Sequence, residues 1–115
     1  MIDDDPLQLR VREAVLRDAG IQVDVATTAE SALALLRAES GRNIGVIVTD
    51  HIMPGATGDV FVRALRDLKP DVPVIVISGM AEAEDEYAGL DVLFRTKPCP
   101  PLELIGLVRQ CLRST

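Results

Sequence analysis

The sequence predicts an α/β fold in which a parallel β-sheet is covered by helices on both faces. Two continuous apolar runs rich in β-branched residues, 44–48 and 74–77, are typical of strands that are buried on both sides. Strand-like and helix-like patterns alternate five times along the chain, each strand followed by a helix. Because this alternation is typical of parallel strands joined by right-handed crossovers, we expect one sheet with helices on either side.

Length, composition and charge limit what the chain can be. With 115 residues, we expect a single domain over 1–115 with one core, and a hydrophobic content of 48% is too high for a disordered chain. The net charge of −6 and the pI of about 4.6 argue against nucleic acid or an anionic membrane surface as the main partner. The apolar runs are far shorter than the ~20 residues that cross a bilayer, and no secretory leader pattern is seen, so we expect no membrane partner.

The cysteines and the single histidine predict that the chain has no zinc site. Cys99 and Cys111 lie far apart in the sequence and lack the spacing of metal ligands. We expect a reduced, cytoplasmic setting, with Cys99 acting as a small buried side chain rather than as a redox sensor. His51 directly follows Asp50, and we expect its side chain to face solvent in a loop rather than to transfer protons.

The first helix has a recognisable start and end. Only two apolar residues, Met1 and Ile2, precede three consecutive carboxylates, which leaves little of a first strand. Asp5 is placed to act as the N-cap, Pro6 lies in the first helical turn, and Gly20 ends the helix. This part of the sequence therefore predicts a truncated first strand followed by a complete first helix.

A second strand and a second helix precede the central strand. Residues 21–25 alternate between apolar and polar types, which predicts a strand with one solvent-exposed face. The Thr-Thr-Ala-Glu sequence at 27–30 is typical of a capping box and predicts the start of the second helix. Gly41 and Asn43 are expected to end the connection that leads into the strand at 44–48.

The second half of the chain continues the alternation with one weak helix. Asp59 is placed to cap the third helix, and the strand at 74–77 follows it. Residues 80–89 are acidic and only weakly apolar, which predicts a short or frayed fourth helix. A short strand at 92–94 and a last helix opened by Pro101 complete the pattern.

Polar side chains follow the predicted strands at the points where those strands end. Asp3 and Asp4 follow the first strand, Asp50 follows the central strand, Ser78 follows the run at 74–77, and Lys97 follows the last strand. In open α/β sheets ligands bind beyond the carboxyl ends of the strands, so we expect these side chains to converge there. Clustered carboxylates attract Mg²⁺, and a carboxylate, a hydroxyl and an ammonium together can transfer a phosphoryl group.

Four motifs occur in order over essentially the whole chain: Asp-Asp-Asp-Pro at 3–6, Thr-Asp-His-Ile-Met-Pro-Gly at 49–55 with Gly58, Val-Ile-Val-Ile-Ser-Gly at 74–79, and Phe-Arg-Thr-Lys-Pro at 94–98. In these motifs the sequence resembles the receiver domain of two-component response regulators. The resemblance implies a flavodoxin-like (CheY-like) three-layer αβα fold with a five-stranded parallel sheet in the order 2-1-3-4-5. Relative to that family, the first strand is expected to be truncated and the fourth helix short.

The resemblance implies a phosphoacceptor site that depends on Mg²⁺. Asp50 would accept a phosphoryl group from a histidine kinase or a histidine phosphotransfer domain. Asp3 and Asp4 would bind Mg²⁺ together with Asp50 and the backbone carbonyl of Ile52. Such a domain catalyses only its own phosphorylation and dephosphorylation, so we expect a signalling domain and not an enzyme that acts on a separate substrate.

The resemblance also implies residues that assist, switch and tune this reaction. Ser78 would be the switch hydroxyl, Phe94 the aromatic switch residue, and Lys97 the lysine that precedes a cis-inclined proline bond. Ile52 and Met80 lie two residues beyond Asp50 and Ser78. Both are apolar, so they either only pack within their loops or also limit the access of water and slow the loss of the phosphoryl group.

Several alternatives remain open on the sequence alone. The protein could be a single-domain regulator or the C-terminal receiver of a hybrid sensor kinase, and we expect a monomer or weak dimer. A Mg²⁺-dependent aspartyl phosphohydrolase would typically have a second Asp where Ile52 stands. A flavodoxin-like cofactor carrier conflicts with the carboxylates at 3–5, which would repel a cofactor phosphate. A degenerate receiver could act only as a binding module.

Overall fold

The chain forms a parallel sheet with helices packed on both faces. The computed structural model describes residues 1–3, 5–38, 44–53 and 56–113. In these residues the helices are α1 (Pro6–Asp18), α2 (Ala29–Arg37), α3 (Gly58–Leu68), α4 (Pro101–Arg113) and a 3₁₀ helix (Ala81–Tyr87). The strands are β1 (Ile47–Asp50), β2 (Ile52–Met53), β3 (Ala56–Thr57), β4 (Val74–Ser78) and β5 (Leu93–Thr96). None of the helices in these ranges is long and apolar enough to cross a membrane.

Three strands form the parallel sheet, in the order β1–β4–β5. Ile47 in β1 lies opposite Val74 in β4, and Ile75 in β4 lies opposite Leu93 in β5. Every residue of β1 and β4 is buried, which confirms the prediction of strands enclosed on both faces. The central strand starts at Ile47, later than the predicted run, and its pairing with β4 continues through Thr49 as far as Asp50.

The expected five-stranded order is not confirmed, because in the described residues the first two strands are reduced to single bridges. Ile2 pairs in parallel with Thr49 on one side and with Ala26 on the other. Residues 21–25 form no strand, although Ile21 packs partly buried against the core. Among the described residues before α1, only Ile2 forms bridges, so residues 21–25 have little backbone beside them to pair with.

Alternate residues of β4 face opposite layers of helices. Val74 and Val76 share one apolar cluster with buried residues of α2 and α3, among them Phe61. Ile75 and Ile77 share the other cluster with buried residues of α1 and α4. Because successive side chains point to opposite faces of a strand, this division confirms the arrangement with helices on both faces of the sheet.

The predicted start and end of the first helix are confirmed. The Asp5 carboxylate caps α1 by accepting a hydrogen bond from the Leu7 N–H at 3.0 Å, and Pro6 is the first helical residue. Gly20 follows the helix with a φ of +83°, in the left-handed region that glycine adopts without strain. The last helix likewise begins at Pro101, as predicted.

The capping box of α2 lies one residue later than predicted. Thr28, not Thr27, is the N-cap, because α2 begins at Ala29. The Thr28 hydroxyl accepts a hydrogen bond from the Ser31 N–H at 3.0 Å, and the Ser31 hydroxyl accepts one from the Thr28 N–H at 3.3 Å. Ser31 is therefore the N3 residue of the capping box, the position for which the sequence pattern predicted Glu30.

The third and fourth helical segments depart from the predictions in different ways. Helix α3 begins at Gly58, so Asp59 lies in its first turn instead of capping it. The acidic segment 80–89 contains a 3₁₀ helix and no α-helix, which confirms the prediction of a short fourth helix. The predicted end of the connection at Gly41 and Asn43 lies outside the described residues.

Gly58 brings the start of α3 against the end of β1. Its backbone N–H donates a hydrogen bond to the carbonyl of His51. A Cβ atom at this position would overlap the hydroxyl of Tyr87 and would lie 2.9 Å from the backbone oxygen of Asp50. No side chain larger than a hydrogen atom fits there, so the close contact of α3 with β1 requires glycine.

Replacing the N-cap of α2 is expected to destabilise the fold. Thr28→Ala removes a hydroxyl that accepts the Ser31 N–H, and its loss is expected to lower the free energy of unfolding by about 1 kcal/mol. Thr27→Ala is the matched control, and it is expected to change stability by less than about 0.5 kcal/mol. Urea denaturation of both variants measures the difference, and equal losses would contradict the observed position of the cap.

Two glycine substitutions are expected to have opposite effects on stability. Gly58→Ala places a methyl group against Tyr87 and Asp50 and is expected to cost about 2 kcal/mol. Gly106 in α4 is exposed and has open space around its Cβ position, so Gly106→Ala is expected to stabilise the protein by about 0.5–1 kcal/mol. Chemical denaturation tests both values, and a neutral Gly58→Ala would contradict the close approach.

Candidate functional site

The carboxylate of Asp50 lies at the carboxyl end of β1 and is held from two sides. The backbone N–H of His51 donates a hydrogen bond to its Oδ1 at 2.7 Å. The Lys97 ammonium group donates to its Oδ2 at 3.0 Å, although the two residues are 47 positions apart. Asp50 is buried, with 7% of its surface exposed, so the lysine supplies the counter-charge that a buried carboxylate needs.

Lys97 reaches Asp50 because its own backbone is anchored to the neighbouring strand. Its N–H donates a hydrogen bond to the Ser78 carbonyl at 2.7 Å, directly after the last residue pair of β4 and β5. The peptide bond between Lys97 and Pro98 is cis, as the sequence resemblance implied. The structure thus brings Lys97 and Asp50 together at the carboxyl edge of the sheet, where the sequence predicted that they would meet.

The two residues expected to act as a switch lie on neighbouring strands. Ser78 ends β4 and is buried, and its hydroxyl oxygen accepts a hydrogen bond from the Met80 N–H at 3.0 Å. Phe94 lies in β5 opposite Val76, and its ring contacts the ring of Tyr87 at a centroid distance of 5.8 Å. Ser78 is therefore bonded within its own loop, and Phe94 is packed against the 3₁₀ helix.

The Asp3 carboxylate lies in the same cleft as Asp50 and Lys97, and it is almost fully buried. Its Oδ1 accepts the Asp5 N–H at 3.0 Å, and its Oδ2 forms an ion pair with Arg12 at 3.0 Å. Burial raises the pKa of Asp3 above its ordinary value, and the charge of Asp50 raises it further, against the lowering effects of the Asp5 N–H, Lys97 and Arg12.

These carboxylates fit the chemistry of a magnesium site. Asp3 and Asp50 are both buried and close enough for the charge of Asp50 to disfavour ionisation of Asp3, a repulsion that a divalent cation relieves. All their ligand atoms are oxygens, which Mg²⁺ prefers. Ile52 follows in β2 and could contribute its backbone carbonyl, while Asp4 lies outside the described residues.

Arg12 is part of the site, and the sequence reasoning missed it. Its guanidinium group is largely buried, with 13% of the side chain exposed, and it neutralises Asp3. The helical spacing of α1 could have revealed this role. Leu9 and Leu16 lie on the buried face of the helix, and Arg12 lies between them on the same face. A basic residue on the buried face of α1 requires an acidic partner, and Asp3 is that partner.

The prediction that His51 faces solvent is wrong. Its side chain is buried, its Nδ1 lies 2.7 Å from the Tyr87 hydroxyl, and its Nε2 lies 3.0 Å from a carboxylate oxygen of Glu86. Its ring also meets the Tyr87 ring edge-on, at a centroid distance of 5.6 Å. Both partners belong to the 3₁₀ helix, more than 30 positions away, so the position of His51 next to a loop could not reveal them.

The cysteines behave as apolar side chains. Cys99 is half-buried and Cys111 is buried, and both are free thiols. Burial raises the pKa of each thiol above its ordinary value, which disfavours the reactive thiolate. These surroundings agree with the expectation that Cys99 packs as a small hydrophobic residue.

Comparison with known proteins agrees with this geometry. A family model described as the response regulator receiver domain matches residues 1–109. The "14.6 kDa protein in sodA1 3′ region" of Leptolyngbya boryana is 37% identical in an alignment 118 positions long, which covers 97% of this chain and 88% of that protein. The transcriptional regulatory protein PrrA of Mycobacterium tuberculosis is 37% identical in an alignment 116 positions long, which covers 98% of this chain and 48% of PrrA.

A solved structure shows the same fold. The CheY-like receiver domain protein of Methanospirillum hungatei JF-1 superposes with a TM-score of 0.90 at 23% identity, over 98% of this chain and 90% of that one. This likeness confirms the flavodoxin-like fold class. The chain spans about half the length of PrrA, whereas it spans most of the Leptolyngbya protein. On the match over residues 1–109 and these relatives, the chain belongs to the response regulator receiver domain family.

Proposed function

We propose that this receiver domain accepts a phosphoryl group on Asp50, with Mg²⁺, from a histidine kinase or a histidine phosphotransfer domain. The observation that supports this most directly is the 3.0 Å contact between the Lys97 ammonium group and the Asp50 carboxylate at the carboxyl edge of the sheet. Receiver domains are signalling domains, so the outcome of phosphorylation is a changed surface and not a released product. The alternative of a phosphohydrolase is not favoured, because Ile52 stands where its second Asp would be.

The reaction requires a carboxylate nucleophile and positive charge around the phosphoryl group. An oxygen of Asp50 attacks phosphorus, a P–O bond forms, and the P–N bond to the donor imidazole breaks, so that the imidazole leaves with its electron pair. Lys97 is placed to neutralise a phosphoryl oxygen. Asp3, Asp4 and the Ile52 carbonyl would hold Mg²⁺ beside Asp50, and the cation would supply further positive charge when bound.

Ser78 and Phe94 would convert this local charge into a change of surface. The Ser78 hydroxyl now donates to the Met80 carbonyl at 3.5 Å and accepts the Met80 N–H at 3.0 Å, and phosphoryl oxygens on Asp50 would offer its proton a stronger, charged acceptor. Turning toward them would release the bond to Met80 at the start of the 3₁₀ helix. Because Phe94 packs against Tyr87 at the end of that helix, the same movement would reach Phe94.

The exposed face of α1 is the proposed contact for the phosphodonor. Leu7 and Val11 lie one helical turn apart on α1, and their exposed fractions are 69% and 52%. Apolar side chains exposed at this spacing, next to the cleft that contains Asp50, support docking of a partner helix there. We further propose that the domain acts in the cytoplasm as a monomer or weak dimer, either alone or within a hybrid sensor kinase.

The choice of phosphoacceptor can be tested by intact mass spectrometry. Incubation with acetyl phosphate and Mg²⁺ is expected to add one phosphoryl group to the wild-type chain and none to Asp50→Asn, because the amide is not a nucleophile. Asp71→Asn, in the turn before β4, is the matched control and is expected to be modified like the wild type. The same mass gain in Asp50→Asn would show that another residue is the acceptor.

We expect the apolar residues Ile52 and Met80 to slow hydrolysis of the phosphoryl group. Ile52→Asn introduces a polar side chain that can orient an attacking water, so the phosphorylated variant is expected to lose its phosphoryl group severalfold faster than the wild type. Leu68→Asn, at the far end of α3 with 41% of its surface exposed, is the control and is expected to leave the rate unchanged. Phosphate release after removal of the donor measures the decay, and an unchanged or slower decay in Ile52→Asn would refute this role.

A further inference from the structure

We propose that His51, Asp59 and Glu86 form a second metal site, which takes a transition-metal ion of the zinc class and is separate from the magnesium site. Each of the three side chains offers one ligand atom, and these atoms all lie within 4.8 Å of one another. They come from three elements, since His51 follows β1, Asp59 lies in the first turn of α3, and Glu86 lies in the 3₁₀ helix. The sheet and its crossovers thus bring together ligands that are distant in sequence.

The distance between His51 and Glu86 is close to that expected for two ligands of one bound ion. Zinc binds nitrogen at about 2.0–2.1 Å and carboxylate oxygen at about 2.0–2.2 Å, so two ligand atoms on one ion lie roughly 3–4 Å apart. The His51 Nε2 already lies 3.0 Å from the Glu86 carboxylate. Because Glu86 is 53% exposed on its side chain, its carboxylate has room to move into the coordination shell. The Asp59 ligand atom lies within 4.8 Å of the other two, so binding an ion would draw the three ligand atoms closer together.

Tyr87 is placed to hold His51 in the form that binds a metal. Ligating histidines usually donate their other ring N–H to an acceptor, and the Tyr87 hydroxyl lies 2.7 Å from Nδ1. A hydroxyl can donate or accept, so it can pair with His51 whether Nε2 carries a proton for Glu86 or a metal ion.

The ligand set favours a different ion from the one expected beside Asp50. A neutral imidazole and two carboxylates suit Zn²⁺ or Co²⁺, whereas Mg²⁺ prefers oxygen ligands and retains its waters. Arg63 donates to the backbone carbonyl of Glu86 at 3.4 Å, and this contact links α3 to the 3₁₀ helix beside the site.

A metal ion at this site would be coupled to the phosphoacceptor through one residue. The backbone N–H of His51 donates to Asp50, while its ring would ligate the ion. Through its three ligands, the ion would connect the segment after β1 to both α3 and the 3₁₀ helix. This inference departs from the sequence prediction of no zinc site, which considered local spacing, whereas these three ligands are separated by 8 and 27 positions.

The single histidine of the chain makes the site directly observable. Tag-free, ¹⁵N-labelled protein is first saturated with Mg²⁺, so that the oxygen site is filled, and Zn²⁺ is then titrated while the imidazole ¹⁵N resonances are recorded. We expect Zn²⁺ to shift the Nε2 resonance with saturation at one equivalent, and Mg²⁺ alone to leave it in place. Imidazole resonances that do not respond to Zn²⁺ would overturn the proposal.

Variants separate this site from other zinc-binding positions. Glu86→Gln and Asp59→Asn each remove one ligand and are expected to lower the affinity for Zn²⁺ at least tenfold in calorimetry with excess Mg²⁺. Glu82→Gln, an exposed position in the same 3₁₀ helix, is the matched control and is expected to bind Zn²⁺ like the wild type. If Glu86→Gln binds Zn²⁺ as tightly as Glu82→Gln, the ion lies elsewhere and the proposal is wrong.

Discussion

The buried carboxylate of Asp50 depends on the ammonium group of Lys97, which approaches it from the far side of β4. An ionised carboxylate removed from water is costly unless a charge or hydrogen bonds compensate it. Lys97 can reach Asp50 only because β4 pairs with β1 on one side and β5 on the other, and because the Lys97 N–H is bonded to the Ser78 carbonyl. The pairing of the strands and the pairing of these charges therefore depend on each other.

The two buried carboxylates of the cleft are each paired with a basic side chain before any phosphoryl group arrives. Asp50 is paired with Lys97, and Asp3 is paired with Arg12. A phosphoryl group brings further negative charge into a region where the pKa of Asp3 is already raised, so the site needs additional positive charge to accept it. This requirement gives a physical reason for placing a divalent cation beside Asp50.

A line of contacts leads from the phosphoacceptor strand to the opposite edge of the sheet. His51 follows Asp50, binds the Tyr87 hydroxyl, and meets its ring edge-on, while the other side of Tyr87 contacts Phe94. Gly58 lies against Tyr87 and Asp50 and leaves no space for a side chain between them. Because these groups are packed in contact, a movement at one end has to be accommodated by the others.

The sequence by itself determined the buried strand at 74–77, the cap of α1 at Asp5, and the meeting of Asp50 with Lys97. These features follow from local periodicity, from capping chemistry and from the rule that parallel strands share a carboxyl edge. Only the tertiary structure decided the partner of Arg12 and the burial of His51, because both depend on side chains packed from distant elements. The first two strands were predicted from local pattern, but in the described residues they form only single bridges. A strand is stable only where a neighbouring strand of sufficient length pairs with it, and local pattern does not contain that information.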